Sequence, residues 1–154
     1  MPEISPAVAS ESNTLSTLLA FDFGHKRIGV AIGNTLTQTA RPLTTLHVER
    51  REARETALRA LMTEWQPQKL VVGLPVHVDG AEHEMTQRAR KFARWLEETF
   101  RLPVALMDER LTTRAAQSLL EESGQFGEKA RAVRDAVAAQ VILQAYFDEG
   151  EMGR

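Results

Sequence analysis

The chain of 154 residues contains no cysteine. That absence removes disulfides, zinc–thiolate centres and thiol nucleophiles together, and it leads us to expect a reducing, intracellular setting. Histidine is sparse too, and His25, His47, His77 and His83 lack the HxxxH spacing of a zinc helix, so each reads as a surface or loop residue. No apolar run approaches the ~18 residues of a membrane span, which predicts a soluble, cytoplasmic protein with no membrane partner. A large excess of positive charge is also missing: the formal net charge is -2. Bulk electrostatic coating of nucleic acid is thereby excluded, although a local basic patch is not.

The length is that of one ordinary domain. Residues 1–16, MPEISPAVASESNTLS, have neither a basic start nor an apolar run and read as a disordered tail. The remaining 17–150 read as a single domain. Leu18 to Phe23 and Arg27 to Gly33 form two strands around a tight turn, and Pro42 to Val48 forms a third, which completes an antiparallel meander. In the second strand Gly29, Ala31 and Gly33 share one face, so a helix or a neighbouring backbone should pack closely there. The period then changes: Leu58, Leu61, Met62 and Trp65 mark a helix beginning near Arg51. KLVVGL, from Lys69 to Leu74, has the continuous apolarity of a strand covered on both faces. A second helix carrying Met85, Ala89, Phe92 and Leu96 leads to a strand over Val104 to Met107. A short helix capped by Thr112 or Thr113 and running to about Leu120, the loop ESGQFGEK and a long helix from about Ala130 to Asp148 follow. The order βββαβαβαα predicts an α/β fold: a mixed five-stranded sheet with three antiparallel strands, then two parallel to the first.

Three acids interrupt apolar stretches. Asp22 shares a strand face with Leu18 and Ala20, and Glu109 shares one with Ala105 and Met107. Asp135 extends the helical stripe of Ala138, Ala139 and Ile142. Each also has an ordinary structural explanation: a turn cap before Gly24, a solvated strand end, and an acid in the first turns of a helix. Together they predict a divalent-metal site, because converging carboxylates beside buried surface need a compensating cation. Oxygen ligands suit Mg²⁺ or Mn²⁺, one ion or two, and phosphodiester hydrolysis is the reaction such a site serves best. Lys26, Arg27, Arg110, Arg114, Lys129, Arg131 and Arg134 supply local cations for a phosphate backbone.

The strings FDFGHKRIGVAIG, VVGLPVHVDG, DERLTT and RDAVAAQVILQAY, in that order, resemble the bacterial YqgF family, whose members are Holliday-junction-resolvase-like and are described as nucleases that process the 5′ end of precursor 16S ribosomal RNA. The resemblance covers nearly all of Leu18 to Phe147. It implies a ribonuclease H-like fold and a hydrolase. It also implies that Asp22, Glu109 and Asp135 are the catalytic metal ligands, and that Gly73 to Pro75 line a substrate groove. The expected substrate contacts are then Lys26, Arg27, Gly73, Pro75, Arg110, Thr112, Lys129 and Arg131. Expected partners are structured pre-rRNA or branched DNA and ribosomal particles, with the chain acting as a monomer or weak homodimer. Three alternatives stand beside this reading: a DNA junction resolvase, which would need a dimer; a noncatalytic RNA-binding assembly factor; and a phosphotransferase of the sugar-kinase type, which would need two such halves.

Overall fold

The structure, a computed structural model, describes residues 16–47, 49–75, 79, 81–109 and 128–149, with side chains from 133 onward in the last segment. Five strands and three helices are present among them: β1 Thr17–Phe23, β2 Arg27–Asn34, β3 Ala40–His47, α1 Arg51–Trp65, β4 Lys69–Leu74, α2 Glu84–Phe100, β5 Val104–Asp108 and α3 Glu128–Glu149. The strands form one sheet in the order β3-β2-β1-β4-β5. β1 pairs antiparallel with β2 and parallel with β4, and β4 pairs parallel with β5. The expected mixed sheet is therefore the observed one.

Alternation along the strands divides the core into two layers. On one face Leu19, Phe21, Ile28, Val30, Leu70, Val72 and Leu74 pack against Leu58 and Leu61 of α1 and Ala89, Phe92 and Leu96 of α2. On the other, Leu18, Ala20, Ala31, Val71, Ala105 and Met107 meet Ala139, Ile142 and Leu143 of α3. β4 is apolar from Leu70 to Leu74 because both of its faces are covered there. The second face is built from smaller side chains, with Gly29, Gly33 and Gly73 beside the alanines, so α3 lies nearer the sheet. That is the close packing anticipated for the small face of β2.

Several boundaries differ from expectation, β1 and β2 by one residue each, to Thr17 and Asn34. β3 begins at Ala40, before Pro42, because a bulge intervenes: Val30 pairs with Thr44 but Ala31 pairs with Pro42, which leaves Leu43 as the extra residue. A proline is tolerated there since β3 is an edge strand and Pro42 owes no amide to a further neighbour. β5 runs one residue further, to Asp108, and α3 starts at Glu128, so the last two residues of the expected ESGQFGEK loop are already helical. The expected helix from Thr112 to Leu120 and the N-terminal tail up to residue 15 lie outside the described residues. α2 is capped by His83, whose Nδ1 accepts the Met85 amide at 3.3 Å while the Thr86 hydroxyl accepts the His83 amide at 3.1 Å. Among the described residues, no helix is long and apolar enough to cross a membrane.

Candidate functional site

The C-terminal ends of β1, β4 and β5 lie along one edge of the sheet, and the three acids gather there for reasons that can be traced residue by residue. Asp22 follows Leu18 and Ala20 onto the α3 face. Its partner across the β1–β2 ladder is Gly29. That glycine is required by contact: a Cβ placed on it would meet the backbone carbonyl oxygen of Asp135 at 1.8 Å. α3 is thus seated on Gly29 by its main chain, which fixes Asp135 beside Asp22. Gly24 serves the hairpin in a similar way, since a Cβ there would stand 2.8 Å from the Arg27 carbonyl oxygen.

Glu109 reaches the same place across β4. It follows Ala105 and Met107 onto the α3 face, just past the end of β5. Gly73, paired with Met107, lies between the two acid-bearing strands. A Cβ on Gly73 would fall 2.8 Å from Oε2 of Glu109 and 2.5 Å from Cδ1 of Ile142. The missing side chain is the space through which the Glu109 carboxyl reaches Asp22.

Burial, first, then the charge of Glu109 and the hydrogen bond to it, then the charge of Asp135, raise the Asp22 pKa well above the ordinary carboxylate range. Burial also raises that of Glu109; the hydrogen bond from Asp22 opposes this and the charge of Asp108 adds to it. The physical reading is one proton held between two carboxyl groups, because two enclosed anions in contact cannot both ionise without a cation. Asp22 is nevertheless not sealed off. A cleft of about 360 Å³ opens onto it, lined also by Gly24, His25, Lys26, Arg27 and Asp135.

Asp135 is held differently. Nε of Arg27 donates to its Oδ2 at 2.5 Å, with 18% of the Asp135 side chain exposed. Among the described residues no three Asp, Glu or His side chains already stand in coordinating geometry. The donor set fits a hard divalent cation in chemistry: three carboxylates, two of them proton-sharing in its absence, with a cation of the chain occupying the third.

The expected substrate contacts are placed unevenly. Lys26 is exposed on the cleft wall, whereas Arg27 is engaged with Asp135. Gly73, expected in a groove, is buried inside β4, and its contribution is the room it leaves for Glu109. Pro75 follows β4 directly, and its carbonyl accepts the Thr86 hydroxyl, which ties the strand end to the start of α2. Lys129 and Arg131 belong to the first turns of α3, upstream of Asp135; their side chains, like Arg110 and Thr112 altogether, lie outside what the structure describes. Sequence reasoning missed the spacer roles of Gly29 and Gly73 at the acids. Counting the hairpin register outward from a four-residue turn, Gly24 to Arg27, would have placed Gly29 opposite Asp22.

Comparison with known proteins shows the family and the fold. Residues 16–149 match the family described as "RuvX: Holliday junction resolvase". A protein of Dechloromonas aromatica is 53% identical over 134 residues, 87% of this chain and 92% of that one. One from Nitrosomonas europaea is 51% identical over 148 residues, 96% of each chain. Both carry the curated name "Putative pre-16S rRNA nuclease". Among solved structures, a fowlpox virus resolvase in complex with Holliday junction DNA superposes with a TM-score of 0.56 at 9% identity, covering 86% of this chain and 97% of that one. Thermus thermophilus RuvC with a junction substrate gives 0.55 at 12%, covering 88% and 98%. At those identities the likeness speaks for the fold, which is the ribonuclease H-like fold of the resolvases.

Proposed function

Since this chain belongs to the RuvX family of resolvase-like nucleases, we propose that it hydrolyses phosphodiester bonds with Mg²⁺ or Mn²⁺ held by Asp22, Glu109 and Asp135, and that it acts on the 5′ end of precursor 16S ribosomal RNA. The observation that carries the reading is the convergence of Asp22, Glu109 and Asp135 at one sheet edge, with Asp22 and Asp135 lining an open cleft. A structural role would be served as well by an amide or an apolar residue, without the cost of enclosing acids.

Bound there, one or two divalent ions would supply an acidified water and neutralise charge developing on the phosphate. The chain's own residues do the rest. Gly73 admits the Glu109 carboxyl to Asp22, and Gly29 holds α3 at the distance that keeps Asp135 in the group. Arg27 orients Asp135 and offsets its charge before substrate arrives. Lys26, exposed on the cleft wall, is placed to meet a backbone phosphate, a contact that positions the strand without reading its sequence.

The RNA assignment draws on the names of the close relatives. The description of the family itself favours a second reading, cleavage of branched DNA. Purified protein with Mg²⁺ should cut a precursor 16S 5′ fragment, and Asp22→Asn should not. Depleting the protein should leave unprocessed 16S 5′ ends on sequencing. Cleavage of a four-way DNA junction with the RNA left intact would replace the first reading with the second.

A further inference from the structure

The edge that carries the acids has two sides. Asp22 faces α3, and the next residue, Phe23, faces α1 and α2. A second concavity of about 360 Å³ opens over Phe23, walled by Phe92 and Trp95 and by four cations, Arg51, Arg54, Arg88 and Lys91. Aromatic rings and guanidinium groups already pack together there: Phe23 and Phe92 stand 4.8 Å apart, and the Arg54 guanidinium lies 5.7 Å and 5.9 Å from their centres.

The charge in this pocket is poorly balanced. Arg51 meets Glu55 at 3.6 Å and Arg88 meets Glu84 at 3.0 Å, both within a single helical turn. Among the described residues no acid pairs with Arg54 or Lys91. Nε of Arg54 is buried with no hydrogen-bond partner, an arrangement that costs free energy unless a ligand completes it. Burial and the nearby Arg51 also lower the Arg54 pKa. Moreover, Arg51 and Arg54 occupy the first turn of α1, where the helix dipole favours anions over cations. Arg50, just ahead, provides no side-chain cap. The four cations that wall the pocket suit the same kind of ligand, an anion.

The pocket also adjoins the acidic cleft. His25, in the β1–β2 turn, lines that cleft, while its Nδ1 lies 3.0 Å from Nη1 of Arg88. The turn at residues 24–26 is a ridge common to both.

We propose that this pocket is a nucleotide subsite: it holds one backbone phosphate among Arg51, Arg54, Arg88 and Lys91 and stacks the attached base on Trp95, on a single strand that crosses the turn from the acidic cleft. The source of the strand rests on the nuclease reading above. The pairing of cations with half-buried aromatic side chains is what distinguishes a strand from a duplex. Bases in a duplex are stacked on one another and do not reach a side chain, whereas an unpaired base presents a face to an aromatic ring.

The test uses the only two tryptophans of the chain, Trp65 and Trp95. Trp65→Phe leaves Trp95 as the sole indole reporter. In EDTA, so that nothing is cut, the protein is titrated with a labelled single-stranded RNA of about twelve nucleotides, and label anisotropy and Trp95 emission are followed together. Emission should be quenched in step with binding. Arg51→Gln with Lys91→Gln, both at exposed positions, should weaken binding roughly tenfold and reduce the logarithmic salt slope by up to about 0.7, the release expected for one single-strand phosphate contact. Trp95→Leu should weaken binding by a similar factor for one lost stack. If anisotropy saturates while Trp95 emission and the salt slope of the double variant stay unchanged, the strand takes another route and this subsite is refuted, with the nuclease reading intact. If no single strand binds, the subsite is refuted, and the nuclease reading stands or falls on the Mg²⁺ cleavage assay above. Equal quenching by a mononucleotide at the same concentration would mark a free-nucleotide pocket and likewise overturn the strand path.

Discussion

Gly29→Ala tests the seating of α3 most directly. The added Cβ would stand 1.8 Å from the Asp135 carbonyl oxygen, 2.3 Å from its carbon and 3.1 Å from the Ala136 nitrogen, and all three are main-chain atoms of a helix. No side-chain rotation relieves such a contact. Ordinary contact begins near 3.4 Å, so the helix must retreat by about 1.6 Å or the strand must bend by as much. Over-packing of this kind costs about 3 kcal/mol, which for a chain of this size lowers Tm by roughly 6–12 °C. The same retreat carries Asp135 away from Asp22 and Arg27. A displacement of about 1 Å within a reacting constellation costs on the order of a hundredfold in rate. Thermal unfolding by circular dichroism and single-turnover cleavage in Mg²⁺, well below the lowered Tm, measure the two effects separately. A variant that melts within about 1 °C of the parent and cuts at the parental rate would refute the seating of α3 on Gly29 and the placement of Asp135 that depends on it.

Gly73→Ala meets flexible ends, Cδ1 of Ile142 and the Glu109 carboxyl, so it should cost about 1–2 kcal/mol in stability yet lower kcat and metal affinity with KM nearly unchanged; a rise in KM alone would return Gly73 to the groove-lining role. For Asp22→Asn the sign follows from the raised pKa: between the ordinary carboxylate range and its raised value the folded chain binds more protons than the unfolded chain, so metal-free stability falls as pH rises through that window. The variant should therefore unfold in urea and EDTA with a flatter pH dependence above the ordinary carboxylate range, and be as stable as the parent or more so at the alkaline end; a slope equal to the parent's would mean Asp22 is not the group held protonated. Binding of Mn²⁺ should expel the proton shared by Asp22 and Glu109, and calorimetry in buffers of different ionisation enthalpy should detect its release below the raised pKa values. Metal binding without proton release would place the ion elsewhere.

Much of this architecture was legible in the sequence because each strand carries its own periodicity. KLVVGL announces a strand covered on both faces, and the alternation through Leu18, Ala20 and Asp22 puts the acid on the same face as its apolar neighbours by spacing alone. Asp135 was legible for the same reason, as a carboxylate on an otherwise apolar helical stripe. The bulge at Leu43 was not, because it depends on how β3 registers against Val30 and Ala31, a relation between strands and not a property of either. The place of Gly73 beneath Glu109, 36 positions further along the chain, was not legible either, because it too is a relation between elements. Arg27 was legible as a cation near the acids, but its ion pair with Asp135, 108 positions away, was not.

The docking of α3 also has a consequence in time. A ribosome delivers β1, with Asp22, more than a hundred residues before it delivers Asp135, and domains fold as their segments emerge. Until α3 arrives, the sheet face of Leu18, Ala20, Ala31 and Val71 lacks the helix that covers it in the finished fold, and Asp22 and Glu109 stand without their third acid. A nascent chain of this protein therefore carries no assembled cluster of three acids until its last helix has left the ribosome and closed the core.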